Sequence, residues 1–272
     1  MKSSAPTLTY IIESQDYDGV TAVTSLGDEV FVARRSGNQV EVYDAKTFTL
    51  LRYISVPEVS RSWGLAACAH YRCLYISDCN QNSIHRVELS GSDVMKKWFV
   101  VRSPVGLSVN KAHNVVVACY EENNIKEYTT HGTLVREIGL HLLRWRGRIN
   151  PWHAVQLSTG EYAVSQGTLR GVVSVVTVDG EFVCIYRPPR ISNMDGLRSL
   201  AVTKNDDILV ADSRNSRILS INSSLRSAQE LDQYEAEVPW ALCLDESRSR
   251  LYVGEGEGSG QCRVLVFDGV RW

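Results

Sequence analysis

Three observations predict an all-β fold, a six-bladed propeller of four-stranded blades. Short apolar runs separated by polar turns recur six times along the 272 residues. The repeats open near positions 19, 64, 106, 153, 199 and 241, a period of about 44 residues that suits one blade each. The composition, 44% hydrophobic and 22% charged, is that of a folded globular chain with no apolar run approaching the roughly 18 residues of a membrane span.

The most regular unit runs from Gly196 to Ile218. Ser199 to Thr203 reads as a first strand, Lys204 to Asp207 as a turn and Ile208 to Ala211 as a second strand. A second polar turn, Asp212 to Asn215, leads to a third strand opening at Ile218. Aligned on this unit, the first-strand column reads Gly19, Gly64, Gly106, His153, Ser199 and Ala241.

The second strands are Val30 to Ala33, Leu74 to Ser77, Val115 to Ala118, Tyr162 to Ser165, Ile208 to Ala211 and Leu251 to Gly254. Short, nearly all-apolar runs of this kind are buried on both faces. Each ends in a small residue, as expected where neighbouring sheets converge. The next column is Arg34, Asp78, Cys119, Gln166, Asp212 and Glu255. Asp78 and Asp212 precede polar turns whose backbone amides a carboxylate can accept from, so their predicted role is structural.

Third strands begin at Val40, Ile84, Ile125, Val172 and Ile218, and the last unit resumes at Arg263 after a glycine-rich insertion. Fourth strands are plainest at Leu50 to Ile54, Lys97 to Val101, Leu134 to Ile138 and Phe182 to Tyr186. The sixth unit has no fourth strand of its own. Thr7 to Ile12, within the leading segment 1–14, is predicted to supply it, closing the ring and covering exposed sheet edges. The whole of 1–272 then forms one domain.

Two stretches carry a family resemblance: Pro104-Val105-Gly106-Leu107-Ser108-Val109, and Leu197 to Val202 followed by Asp212-Ser213-Arg214-Asn215-Ser216-Arg217-Ile218. They resemble NHL repeats, whose pattern is P-x-G-hydrophobic-A-V-D and then L-Y-V-A-D-x-x-N-x-R-I. The resemblance is strong in the second, third and fifth units. It is weaker in the first and in the fourth, where Ser165-Gln166-Gly167-Thr168 replaces the Asp-Asn turn. It implies a six-bladed propeller of the kind found in tripartite-motif proteins, where such domains bind single-stranded RNA or proteins. No RING or B-box zinc module lies within these residues, so any ligase activity of a larger multidomain parent would lie elsewhere.

The net charge of −2 argues against a chain-wide grip on nucleic acid but permits a local basic face. Met1 to Pro6 has no apolar core of a secretory signal. The seven cysteines lack CxxC spacing and read as reduced, buried thiols in a cytoplasmic protein. Cys68 and Cys73 flank a short turn, a spacing that also permits a disulfide.

The residues just before the first-strand column are Asp18, Trp63, Val105, Trp152, Arg198 and Trp240. Three tryptophans alternate around the ring, on the face whose loops lead into the first strands. Arginines collect on the same face: Arg34, Arg35, Arg61, Arg144, Arg146, Arg148, Arg187, Arg190 and Arg198. Packing of tryptophan between blades is one reading. The other is a stacking and phosphate-binding surface for single-stranded RNA. Asp16, Asp18, Glu121, Glu122, Glu235, Glu237, Glu255 and Glu257 add an acidic part that suits a protein partner equally. The predicted ligand-binding set is Trp63, Trp152, Trp240, Arg34, Arg35, Arg61, Arg144, Arg146, Arg148, His153 and Arg198.

The competing class is a metal-dependent propeller enzyme, resembling calcium-dependent lactonases or a zinc-dependent amidating lyase, acting at the central channel. Such sites need several carboxylates or histidines to converge. The channel column offers His153, with His85 in a third strand, whereas His70, His113 and His131 fall in polar turns. No G-x-S-x-G elbow, phosphate loop or HExxH motif occurs. The sequence therefore predicts a monomeric, non-catalytic module with a macromolecular ligand, no membrane partner, no cofactor and no metal.

Overall fold

The computed structural model describes residues 6–13, 18–89, 95–100, 102–140, 150–167, 171–187, 194–231, 236–258, 260 and 262–270. Six four-stranded antiparallel sheets form the blades. The leading strand β1 is Thr7–Ile12. The first blade is β2 (Val20–Leu26), β3 (Glu29–Arg34), β4 (Gln39–Asp44) and β5 (Leu50–Ser55). The second is β6 (Ser62–Cys68), β7 (Cys73–Asp78), β8 (Ser83–Glu88) and β9 (Met95–Phe99). The third is β10 (Pro104–Val109), β11 (Val115–Cys119), β12 (Asn124–Tyr128) and β13 (Leu134–Gly139). The fourth is β14 (Pro151–Gln156), β15 (Tyr162–Gln166), β16 (Val172–Val176) and β17 (Phe182–Tyr186). The fifth is β18 (Leu197–Val202), β19 (Ile208–Asp212), β20 (Arg217–Ile221) and β21 (Ala228–Glu230). The sixth is β22 (Pro239–Asp245), β23 (Arg250–Glu255) and β24 (Val264–Asp268).

β1 completes the sixth sheet, in the order β1-β24-β23-β22. Thr7 lies opposite Asp268 and Ile12 opposite Val264, so the predicted closing strand is in place. Ile12 is buried against Val20 and Val264, while Leu8 and Ile11 pack on Phe267 and its neighbours.

The core lies between blades rather than within them. Phe31 and Val42 of the first blade share a cluster with Leu65, Leu74 and Ile76 of the second. Leu209 and Ile218 of the fifth share one with Leu251 and Phe267 of the sixth. The second strands β7, β11, β15 and β19 are buried at every position, because each is covered by a sheet on both sides.

Each first strand carries a bulge, with a register shift at Ser62/Gly64, Pro151/His153 and Pro239/Ala241, for example. The bulge corrects the alignment of the first blade. Val20 pairs with Arg34 and Ala22 with Ala33, so Ala22 is in register with Gly64 and Thr21 with Trp63. Gly19 sits in the preceding loop. It is glycine for another reason: a Cβ there would lie 2.6 Å from the Glu257 amide of the sixth blade.

The carboxylates at the end of the second strands hold the loops of one face. Asp78 accepts from the amides of Ser60, Asn80 and Gln81 at 2.7, 3.0 and 3.2 Å. Asp212 accepts from the Asp195 amide at 2.8 Å and from Arg217, and Glu255 from the Glu237 amide at 2.9 Å and from Arg263. The structural reading of Asp78 and Asp212 stands, Glu255 plays the same part, and these bonds fix the loops leading to Trp63, Arg198 and Trp240. None of the cysteines forms a disulfide, although Cys68 and Cys73 lie directly opposite each other on β6 and β7.

Candidate functional site

First strands leave their inner edges unpaired, so a propeller channel is lined by backbone groups that need partners. Several are met from the neighbouring blade. The Ser77 hydroxyl donates to the Val105 carbonyl at 2.7 Å, Ser108 to Ala154 at 2.7 Å and Ser165 to Arg198 at 2.8 Å. A cavity of about 250 Å³ remains along the axis, with lining residues from all six first strands.

The bulge positions converge on the mouth of this cavity. In register they are Thr21, Trp63, Val105, Trp152, Arg198 and Trp240. The three indoles meet one another: ring centroids are 5.6 Å apart for Trp63 and Trp152, 5.7 Å for Trp63 and Trp240, and 6.5 Å for Trp152 and Trp240. Small Thr21 between the last and second blades lets Trp63 and Trp240 stack over it. Gly256 backs Trp240, since a Cβ there would lie 2.6 Å from the indole.

Arg198 is clamped between two of these rings. Its guanidinium carbon lies 3.9 Å from the Trp152 centroid and 4.0 Å from that of Trp240. This is close cation–π geometry, and desolvation strengthens it. No carboxylate of the described residues reaches ion-pair distance of Arg198. Burial, with Arg214 nearby, pushes its pKa down to about 10. Its Nε and Nη1, and Nε1 of Trp152, are buried without an acceptor among the described residues.

Two further arginines flank Trp63. Arg61 lies 4.9 Å and Arg35 5.8 Å from the ring centroid. Arg35 is ion-paired to Glu257, whereas Arg61 has no such partner among the described residues. Tyr120, just after β11, packs against Trp152 with its ring tilted by 55° and the centroids 4.8 Å apart. The column alignment does not single out Tyr120, because its position follows the repeat column and no other blade has an aromatic residue there.

Two residues of the predicted set have their polar groups engaged within the fold. Arg34 is buried, with Nε 2.6 Å and Nη2 3.0 Å from the Glu41 carboxylate and Nη1 2.9 Å from the carbonyls of Asp18 and Cys262. It ties the first blade to the sixth. His153 bridges three blades: its Nδ1 accepts from the Leu200 amide and its Nε2 donates to the Leu107 carbonyl, both at 2.9 Å. Burial holds the ring neutral by pulling its pKa below the usual histidine range. Arg144, Arg146 and Arg148 lie outside the described residues.

Much of the acidity on this face is also internally engaged. Asp18 accepts from the Ser36 amide, Glu122 pairs with Lys126, Glu255 with Arg263 and Glu257 with Arg35. His85 is buried in β8 beside the Ser83 hydroxyl, 3.1 Å from Nε2. Among the described residues, no group of three or more His, Cys, Asp or Glu side chains has the arrangement of a metal site, and no helix is long and apolar enough to cross a membrane.

Residues 195–219 match the NHL repeat family, a stretch covering the first two strands, the following turn and the start of the third strand of the fifth blade. No curated protein sequence matches the chain. Among solved structures it is similar to virginiamycin B lyase from Staphylococcus aureus, at 14% identity over 91% of this chain and 81% of that one, with a TM-score of 0.67. A streptogramin B lyase structure aligns at 13% identity over 98% and 99%, with a TM-score of 0.70. The WD40 propeller domain of Doa1 aligns at 12% identity over 97% of both chains, with a TM-score of 0.67. At these identities the likeness is one of fold.

Proposed function

Starting from an NHL-repeat six-bladed β-propeller, we propose that this chain is a non-catalytic recognition module that binds single-stranded RNA on the face carrying the loops into its first strands. The observation that carries this reading is the cluster of Trp63, Trp152 and Trp240 with Arg198 and Arg61 on their faces. Aromatic faces beside guanidinium groups suit a ligand that alternates bases and phosphates. The internal pairing of Glu122, Glu255 and Glu257 reduces their competition for a polyanion. In sequence, Arg144, Arg146 and Arg148 add three cations to the segment that precedes β14.

Binding of a labelled single-stranded RNA, followed by fluorescence anisotropy across a salt series, tests the reading. Affinity should fall with salt, with a log–log slope of about −0.7 per phosphate contact. Arg61→Ala and the triple change Arg144→Ala, Arg146→Ala and Arg148→Ala should each weaken binding about tenfold or more. Binding that ignores salt and both variants, or no binding at all, removes RNA from this face. It would leave a protein partner as the reading, which exposed Glu121 and Glu237 favour.

The lyases among the similar structures raise the enzymatic alternative. His153, the histidine lining the channel, has both ring nitrogens engaged by backbone groups of neighbouring blades. That arrangement supports recognition over proton transfer at this position.

A further inference from the structure

We propose that the channel is a binding chamber for a small organic carboxylate with a flat apolar body, its carboxylate on Arg198 and its body in the channel. This does not rest on RNA binding. It follows from the contents of the chamber and from the donors at its mouth.

The walls are uncharged except at one end. Leu65, Leu107, Leu200, Leu242, Val155 and Val202 contribute to the lining, and Arg198 is its one charged residue among those described. His153 is neutral and already bridges Leu107 and Leu200. The hydroxyls of the two serines that line the cavity are spent on backbone carbonyls: Ser108 on Ala154, and Ser199 on Leu242 at 3.5 Å. A space of about 250 Å³ with mixed aliphatic and neutral polar walls therefore ends in a single cation. A cavity of roughly 150 Å³ already accepts a benzene ring.

The immediate surroundings of Arg198 are rich in donors, and no carboxylate of the described residues reaches ion-pair distance of it. Nε and Nη1 of Arg198 and Nε1 of Trp152 belong to two side chains in direct contact, and none has an acceptor among the described residues. A buried cation without a counter-charge is costly unless a ligand supplies one. A carboxylate supplies acceptor oxygens and one negative charge, and arginine is the side chain best shaped to receive it. Because these nitrogens are sealed between the rings, occupancy must part Trp152 and Trp240 from Arg198. Binding is thereby coupled to tryptophan emission.

Benzoate is the probe, and benzamide is its uncharged isostere. Each is titrated into the purified protein while tryptophan fluorescence and the melting temperature are followed, with inorganic phosphate as a bare-anion control. Benzoate should give a saturable emission change and raise the melting temperature, with at least tenfold preference over benzamide and over phosphate. Arg198→Met retains an unbranched apolar side chain between the indoles and should abolish the preference. Equal responses to benzoate and benzamide, a phosphate response matching benzoate, or no saturable response by about 10 mM benzoate would each overturn the proposal. If Arg198→Met fails to fold, the wild-type comparison of the three probes still decides.

Discussion

The Leu200 amide donates to Nδ1 of His153 across 2.9 Å, joining the first strands of the fourth and fifth blades through a side chain. The opposite nitrogen bonds the Leu107 carbonyl of the third blade. The ring must be neutral to accept at Nδ1, and burial lowers its pKa. His85 is shifted the same way, mainly by burial.

The pH dependence follows from that sign. Above the unfolded histidine pKa of about 6.5, both rings are neutral in both states and stability is unaffected. As pH falls below it, the unfolded chain takes up protons that the folded chain resists, so stability is lost at up to about 1.4 kcal/mol per pH unit for each histidine. The urea midpoint should fall between pH 7.5 and 5.5. His153→Gln should be less stable at pH 7.5 and should flatten that slope. An unchanged slope would remove His153 as its source.

Arg34 should be a stability residue. Arg34→Met strands the Glu41 carboxylate, whose side chain is 13% exposed, with the Tyr43 hydroxyl as its remaining side-chain partner. Loss of one member of a buried pair costs about 3–5 kcal/mol. Chemical denaturation should show that loss, and Arg34→Met with Glu41→Leu should recover much of it, because no charge is then stranded.

Gly106→Ala should force the third and fourth blades apart. The added Cβ would lie 2.3 Å from the Trp152 carbonyl oxygen and 2.6 Å from Cδ2 of His153. The expected cost is about 1–3 kcal/mol, with a shift in tryptophan emission from the disturbed mouth. A silent substitution would mean that the blades have slack there.

Deleting residues 1–14 should lower the melting temperature by about 10 °C, since buried Ile12 and half-buried Leu8 and Ile11 leave their clusters. The outward edge of β24 is then open to other strands, so association at high concentration should rise. Scanning calorimetry and light scattering read the two effects separately.

The fold was legible because one unit repeats: Ile208 to Ala211 and Leu251 to Gly254 are interchangeable in pattern, and the period exposes the missing outer strand. The first blade misled by three residues, because Gly19 imitates the column glycines while Ala22 occupies their register. The tryptophan column was legible because equivalent bulges point to one axis. The engagement of Arg34 was not, because Glu41 becomes its partner only when β3 and β4 pair. His70 and His113, assigned to separate polar turns, stack at 4.2 Å because adjacent blades bring those turns side by side.

Thr9 and Asp268, 259 residues apart, meet in one sheet. During vectorial synthesis β1 emerges early and must wait for almost the entire ring before its partner exists. The early blades can dock as they appear, since each core is shared with the next in line. The sixth sheet can be completed only after β24 has been made. Closure is therefore a long-range, late event, and contacts so distant in sequence form slowly. Until then the nascent propeller is an open arc with two adhesive ends, the state in which chaperone capture, or exchange of β1 between neighbouring chains, competes with ring closure.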